Sequence, residues 1–335
     1  MSVDRNASAS SFGWQFQINV AIYLMLKYFN RYNQIKVEGE KEDIEILLNN
    51  SKKIYIQAKS KIDTTNNDGY STKLKEALKS LSDIENDDVE QLMYISNLTP
   101  NPLNSGTINE FEGVTFLKYT ELQDASKRKI DNQLNSLGVT LDKEKLWIAV
   151  IPFYGEDERN KKKNIYYIIE NFLASAGFDL VPYSKRILEM WESEFFNNSS
   201  TRAPYIKIKK EDVLWQLVLL EVEKDKVMQF DSNICDDEED YQMAIDRYEK
   251  IINNREGDFR IYNKISNLYR NKKEISMYEF INKYSSEIYD IVFDGNKNKS
   301  QEFIEIICSK IIARRILLRK NHLEECFRKA ENYEN

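Results

Sequence analysis

Hydrophobic positions along the chain recur with two different periods, and the dominant period changes part-way. Residues 12–28, FGWQFQINVAIYLMLKY, are apolar on nearly every side, which predicts a helix buried all round, with Ser10 and Ser11 as candidate caps. A period of two then takes over: IKVE at 35–38, DIEILL at 43–48 and KIYIQAK at 53–59 read as strands. After a helical segment near 70–85, QLMYISN (91–97) and VTFLK (114–118) read as strands separated by a Pro/Asn/Gly loop. A helix near 120–137 precedes LWIAVIPF (146–153), the most apolar strand candidate, and a helix over 163–176 ends at Gly177. Beyond about residue 185 the strand signals fade. Helical periodicity runs through 185–197, 211–230, 241–254, 274–292 and 300–332, with no fixed repeat. The pattern predicts an α/β domain over residues 1–200 and a mostly α-helical domain over 201–335.

Composition narrows the chemistry more than the fold. With 335 residues, 41% of them hydrophobic, the chain can bury a sizeable core. No apolar run reaches about eighteen residues, so no spanning helix and no membrane partner are expected. The opening MSVDRNASASS lacks a basic stretch followed by an apolar one, and Cys235, Cys308 and Cys326 are odd in number and widely spaced. Both features read as a cytoplasmic protein with reduced thiols. The net charge of −7 gives no basic domain of the kind that binds nucleic acid through bulk charge. Only one histidine, His322, is present, which excludes HExxH zinc chemistry; neither GxxxxGK[ST] nor GxGxxG occurs. Catalysis by this chain would have to come from carboxylates, amides and lysines, a donor set suited to a hard divalent cation.

The segment KVEGEKEDIEILLNNSKKIYIQAKSK, residues 36–61, concentrates those groups. Residues two apart share a strand face, so Ile44, Ile46 and Leu48 point one way and Asp43 and Glu45 the other. On the next strand Ile54, Ile56 and Ala58 oppose Tyr55, Gln57 and Lys59. A hairpin folded at Asn50 sets position 43 against 57, and one folded at Ser51 sets it against 59. Either register gathers Asp43, Gln57 and Lys59 on one polar patch, where cross-strand Cβ atoms lie about 5 Å apart. Two readings stay open: a solvated hairpin face with an incidental ion pair, or a site where a carboxylate and an amide oxygen hold Mg²⁺ or Mn²⁺ while a lysine orients water for phosphodiester hydrolysis.

Asp43, thirteen intervening residues and Gln57-Ala58-Lys59 resemble the D…(E/Q)xK core of the PD-(D/E)XK nuclease superfamily in its QxK form. More narrowly, Gly13 to Gln17, the run VEGEKEDIEI and IQAKS look like the nuclease domain of Cap-type effectors of bacterial anti-phage systems, including CBASS endonucleases and the Lamassu nuclease subunit. The motifs span roughly the first 60 residues. The resemblance implies a restriction-endonuclease-like α/β fold with a mixed central sheet, and a Mg²⁺- or Mn²⁺-dependent endonuclease cutting double-stranded DNA. It implies Asp43, Gln57 and Ala58 at the metal and Lys59 as the catalytic lysine. Gln17 falls where the family's opening helix contributes, and Glu38 where a glutamate precedes the aspartate, with Glu40 as its rival. Glu40 and Glu45 are candidate supporting groups, and Lys52, Lys53, Lys61 and Lys73 candidate phosphate contacts. The expected partners are DNA, further copies of the chain, and an SMC-like ATPase subunit of a defence complex. A constitutive restriction or repair nuclease and a non-catalytic assembly subunit are the alternatives.

Two segments of the helical half stand apart. KIIARRILLRK (310–320) carries apolar residues Ile311, Ile312, Ile316 and Leu317 in a stripe suited to docking on a partner or on the other domain, and CDDEED (235–240) reads as a solvated linker.

Overall fold

The structure, a computed structural model, describes residues 7–62, 69–84, 88–97, 110–155, 157–200, 207–224, 229–253, 259–272, 274–294 and 300–333. By its internal contacts the chain divides into two compact units. The first takes residues 1–172, 184–210 and 333–335, the second 173–183 and 211–332. The division therefore falls at Lys210 and not at 200, and the short segment 173–183 belongs with the second unit.

In chain order the first unit comprises α1 (Ala7–Lys27), β1 (Tyr32–Val37), β2 (Ile44–Leu48), β3 (Lys53–Lys59), α2 (Tyr70–Ser82), β4 (Val89–Ser96) and β5 (Thr115–Lys118). There follow α3 (Asp124–Leu137), β6 (Leu146–Val150), α4 (Glu158–Lys161), α5 (Lys163–Ala176), whose last turn enters the second unit, α6 (Ser184–Ser200) and β7 (Ile208–Lys209). Among the described residues the strands form one mixed sheet in the order β5-β6-β4-β3-β2-β1-β7. The meander β1-β2-β3 is antiparallel, β3-β4-β6 is parallel, and β5 runs antiparallel to β6.

The β2–β3 pairing sets Ile44 against Ile56 and Ile46 against Ile54, so the hairpin folds about Asn50 and Asp43 falls opposite Gln57. Its polar face, however, is not a solvent face. Tyr55, Leu92 and Tyr94 on that side join Leu74, Leu78 and Leu81 of α2 and Ile130 and Leu134 of α3 in one buried cluster. The opposite face, with Ile44, Ile46, Ile54 and Ile56, is equally buried, and α1 packs on β1 and β3. The parallel strands are covered on both sides, by the crossover helices α2 and α3 on one face and by α1 on the other; β4 accordingly reads VEQLMYIS, with only Glu90 incompletely buried. Ser10 and Ser11 lie inside α1, which starts at Ala7, so they do not cap it. Strand β7 and helix α4, two and four residues long, carry no sequence signal.

The second unit is helical: α7 (Lys210–Glu223), α8 (Glu238–Asn253), α9 (Phe259–Arg270), α10 (Met277–Lys283), α11 (Ser285–Val292) and α12 (Glu302–Ala330). Helix α12 packs against α8, α9, α10 and α11, and Ile311, Ile312, Ile316 and Leu317 are buried there. The stripe expected to dock on a partner or on the other domain instead builds the helical unit's own core. CDDEED is exposed along most of its length, as expected of a solvated stretch, but its second half opens α8 instead of linking helices. Asp237 Oδ1 accepts the amides of Glu239 and Asp240, each at 2.9 Å, which caps α8 and places its acidic first turn favourably on the helix dipole. One position of the 274–292 segment becomes a break, since α10 stops at Lys283 and α11 starts at Ser285. No helix among the described residues is long and apolar enough to cross a membrane.

Candidate active site

The site builds up at the carboxyl ends of the parallel strands, the usual ligand side of an open α/β sheet. Lys59 is the last residue of β3, and just beyond β4 the buried Asn97 ties the neighbouring chain ends together. Asn97 Oδ1 accepts from the Lys61 amide at 3.0 Å, and its Nδ2 donates to the carbonyls of Lys61 and Phe153 at 2.8 and 3.0 Å. Phe153 in turn packs on Phe12 and Phe16, which fixes the N-terminal half of α1, and with it Gln17, at this edge. Asn97 was not foreseen; a lone asparagine after a strand has no distinguishing pattern.

The β1–β2 turn delivers the acids. Its backbone closes with Glu38 N donating to Asp43 O at 2.7 Å and Gly39 N to Glu42 O at 3.0 Å. Glu38 sits at φ 52°, a left-handed conformation that costs a non-glycine residue about 1–2 kcal/mol. Such strain persists where the surroundings over-determine it. Here the holder is Glu45: its Oε1 accepts the Lys41 amide at 2.8 Å, and its side chain lies so close under Gly39 that an added Cβ would fall 2.5 Å from it. Glu45 thus supports the turn from behind.

Asp43 Oδ2 accepts the Ala58 amide at 2.9 Å, which pins the carboxylate across the end of β3. Glu38 accepts from the Gln17 side chain and feels the charges of Asp43, Lys59 and Lys36. Its carboxyl is raised above the usual range, first by lost hydration and next by the Asp43 carboxylate, with the Gln17 hydrogen bond and the two lysines opposing. Glu38 and Glu40 are both exposed, but of the two rivals it is Glu38 whose carboxyl feels the Asp43 charge. Lys36, on the strand leading into Glu38, is 1% exposed and donates to the Asn198 carbonyl oxygen; burial lowers its pKa and Glu38 opposes the change.

Gln57 is buried, and its Nε2 donates to Glu42 Oε2 at 2.7 Å. The other Glu42 oxygen accepts the Ser80 hydroxyl of α2, also at 2.7 Å. Burial raises the Glu42 carboxyl, the Ser80 and Gln57 hydrogen bonds lower it, and the nearby Asp43 charge raises it again. Glu42, like Asn97, is a residue of this candidate site with no signal of its own in the sequence. It sits in the run Lys41-Glu42-Asp43, which looks like solvent-facing turn, and only α2 folding over the face supplies Ser80.

The basic groups split in two. Lys73 of α2 donates to Ser60 O at 3.0 Å, and its pKa is lowered by burial and then by the charges of Lys59 and Lys61, so these three cations are neighbours. Lys52 and Lys53, expected at the phosphates, stand at the start of β3, about 20 Å from Lys59 at 3.3 Å per residue. Lys53 pairs with Asp88 and the Tyr55 hydroxyl there. They do not belong to the site.

Among the described residues, no group of three or more His, Cys, Asp or Glu side chains is arranged to hold a metal ion. Oxygen donors of other kinds are present. Gln17 Oε1 and Gln57 Oε1 are both buried with no hydrogen-bond partner. An orphaned buried acceptor costs about 1–3 kcal/mol, which a bound cation offsets. Two such oxygens beside Asp43 and Glu38 suit a hard cation such as Mg²⁺ or Mn²⁺.

A second concavity, of about 670 Å³, lies at the opposite ends of the parallel strands between Lys27, Arg31, Phe116, Lys118 and Trp147. Its cations are engaged: Arg31 with Glu90, Lys27 over the Phe116 ring at 4.7 Å, and Lys118 over Trp147 at 5.3 Å. Set against family models, curated proteins and solved structures, the chain matches none.

Proposed function

We propose that the chain is a metal-dependent DNA endonuclease, an effector of bacterial anti-phage defence that works with partner subunits or as an oligomer. The supporting observation is the convergence of Gln17, Glu38, Asp43, Gln57 and Lys59 at the strand ends, with two buried amide oxygens that lack partners. The defence role and the partners come from the sequence resemblance. Asp43, Glu38 and the oxygens of Gln57 and Gln17 would hold the ion, with Ala58 the neighbouring main-chain position. Bound there, Mg²⁺ or Mn²⁺ supplies Lewis acidity and lowers the pKa of a coordinated water. Lys59 stands beside the carboxylates to orient the attacking water and to stabilise charge developing on the phosphate. Lys61 and Lys73 extend that positive surface toward the DNA backbone.

Purified protein incubated with supercoiled plasmid and Mn²⁺, alone and with its candidate partner subunits, should nick or linearise it and stop in EDTA. Asp43→Asn and Lys59→Ala should each abolish cleavage with the fold intact. Undiminished cleavage by both variants, or DNA loss that continues in EDTA, refutes the reading. The competing role is a non-catalytic assembly subunit. It predicts no Mn²⁺ binding by calorimetry.

A further inference from the structure

Gln57 presents a choice that its sequence cannot make. Its terminal torsion joins an sp³ to an sp² carbon and has two broad, nearly equivalent settings that exchange oxygen and nitrogen. In one setting the group turned away from Glu42 is an acceptor, and in the other it is a donor. Only the first can ligate a cation. The structure has a device that selects it. Glu42 Oε2 takes the Gln57 Nε2 hydrogen at 2.7 Å, and a carboxylate offers no hydrogen to the amide oxygen in return. Glu42 is itself locked, because its second oxygen accepts from Ser80 at 2.7 Å and the residue is 4% exposed. Both Glu42 oxygens are thus engaged by protein donors and the side chain is enclosed. Gln57, 7% exposed, is left with a buried Oε1 that no protein group satisfies.

We propose that Glu42 is a positioning residue that acts through Gln57. Anchored by Ser80, it holds the amide with its oxygen toward the cation position beside Asp43. The proposal rests on the metal-dependent reading above and assigns Glu42 the work of orientation, not of ligation. The same logic explains why an amide serves at position 57. A carboxylate there would face the Glu42 carboxylate across a hydrogen-bond distance, whereas an amide supplies the missing donor.

The test measures Mn²⁺ affinity by titration calorimetry, and melting in EDTA, for the full chain and four variants. Glu42→Ala frees the amide and should weaken Mn²⁺ about 10–100-fold, the usual effect of removing a group that orients a ligand. Glu42→Gln keeps an acceptor for Gln57, because the Ser80 hydroxyl can turn to accept from the new amide, so its affinity should stay within about threefold of wild type by the same scale. The exchanged pair Glu42→Gln/Gln57→Glu retains one donor and one acceptor between the two side chains and turns a carboxylate oxygen to the site. It should bind at least as tightly as wild type, and more tightly than Gln57→Glu alone. If Glu42→Ala does not fold, the comparison of the exchanged pair with Gln57→Glu decides. Unchanged affinity in a folded Glu42→Ala overturns the proposal. So does a Glu42→Gln as damaged as alanine, which would make the Glu42 charge itself the contributor, or an exchanged pair no better than Gln57→Glu. If wild type binds no Mn²⁺, the metal-dependent reading fails and takes the proposal with it. If wild type binds and Glu42 variants do not differ, only the role of Glu42 falls.

Discussion

Asp43 carries two jobs, and a pair of substitutions separates them. Its Oδ2 satisfies the amide of Ala58, a residue 5% exposed, and its charge bears on Glu38 and Glu42, raising both carboxyls. Alanine removes the acceptor and leaves a buried N–H unpaired. A hydrogen bond to a charged group contributes about 1.5–3 kcal/mol, and some of that loss returns through relief of the repulsion with the two glutamates. A net cost of about 2 kcal/mol follows, or roughly 4–8 °C in melting temperature for a unit of this size. Asparagine keeps an oxygen at the Ala58 amide and loses the charge, so it should melt at or above the wild-type temperature. On the metal-dependent reading both variants lose the anionic ligand and should be inactive. Differential scanning fluorimetry and urea titration in EDTA measure the stabilities, and plasmid nicking in Mn²⁺ measures the activity. If asparagine destabilises as much as alanine, or if alanine melts with wild type, the reasoning about the Asp43–Ala58 bond is wrong.

Three further outcomes are expected. Gly39→Ala should destabilise by about 1–3 kcal/mol, the usual cost of overpacking, because its Cβ would meet the Glu45 side chain; in a Glu45→Ala background the cost should shrink, and additivity in a urea-measured double-mutant cycle would refute the contact. Raised carboxyls at Glu38 and Glu42 mean that, from the ordinary carboxyl range near about 4.3 upward, the folded state holds more protons than the unfolded one. Their contribution to stability therefore falls as pH rises through that window, and Glu42→Gln should flatten the fall in urea midpoints measured in EDTA; an identical slope in the variant contradicts the assignment. In an Asp43→Asn background with Ca²⁺, Lys73→Ala should reduce the slope of log affinity for DNA against log salt by about 0.9, one phosphate contact, whereas Lys53→Ala should leave it unchanged; equal effects in fluorescence anisotropy would undo the division of the basic groups.

Much of the first unit was legible because strand periodicity is a local property. KIYIQAK became β3 from Lys53 to Lys59, and the isoleucines of both hairpin strands admit only registers that keep them on one face. That constraint alone brings Asp43 near Gln57. The choice between folding at Asn50 and at Ser51 was not local. Asn50 lies at the middle of the observed pairing, and its neighbour Ser51, at φ 65°, takes up the turn. Segment 211–230 likewise held a helix, shorter at its C-terminal end, with residues 225–228 outside the described ones.

What the sequence could not carry was the environment of each face. Alternation in β2 and β3 looks like a sheet with one wet side, yet β4 and β6 run parallel to β3 and are buried on both sides, so helices must cover the polar face as well. Covering it with α2 brings Ser80 to Glu42, turns a charged residue of the Lys41-Glu42-Asp43 turn into the partner of Gln57, and sets Lys73 beside Lys59 while Lys53 stays at the far end of the strand. The same holds for α12, whose apolar stripe suits a partner or a core equally well until α8, α9, α10 and α11 close on it. Residue type and spacing fix which groups share a strand face; which of those groups lose water, and whom they meet, depends on contacts between segments distant in sequence.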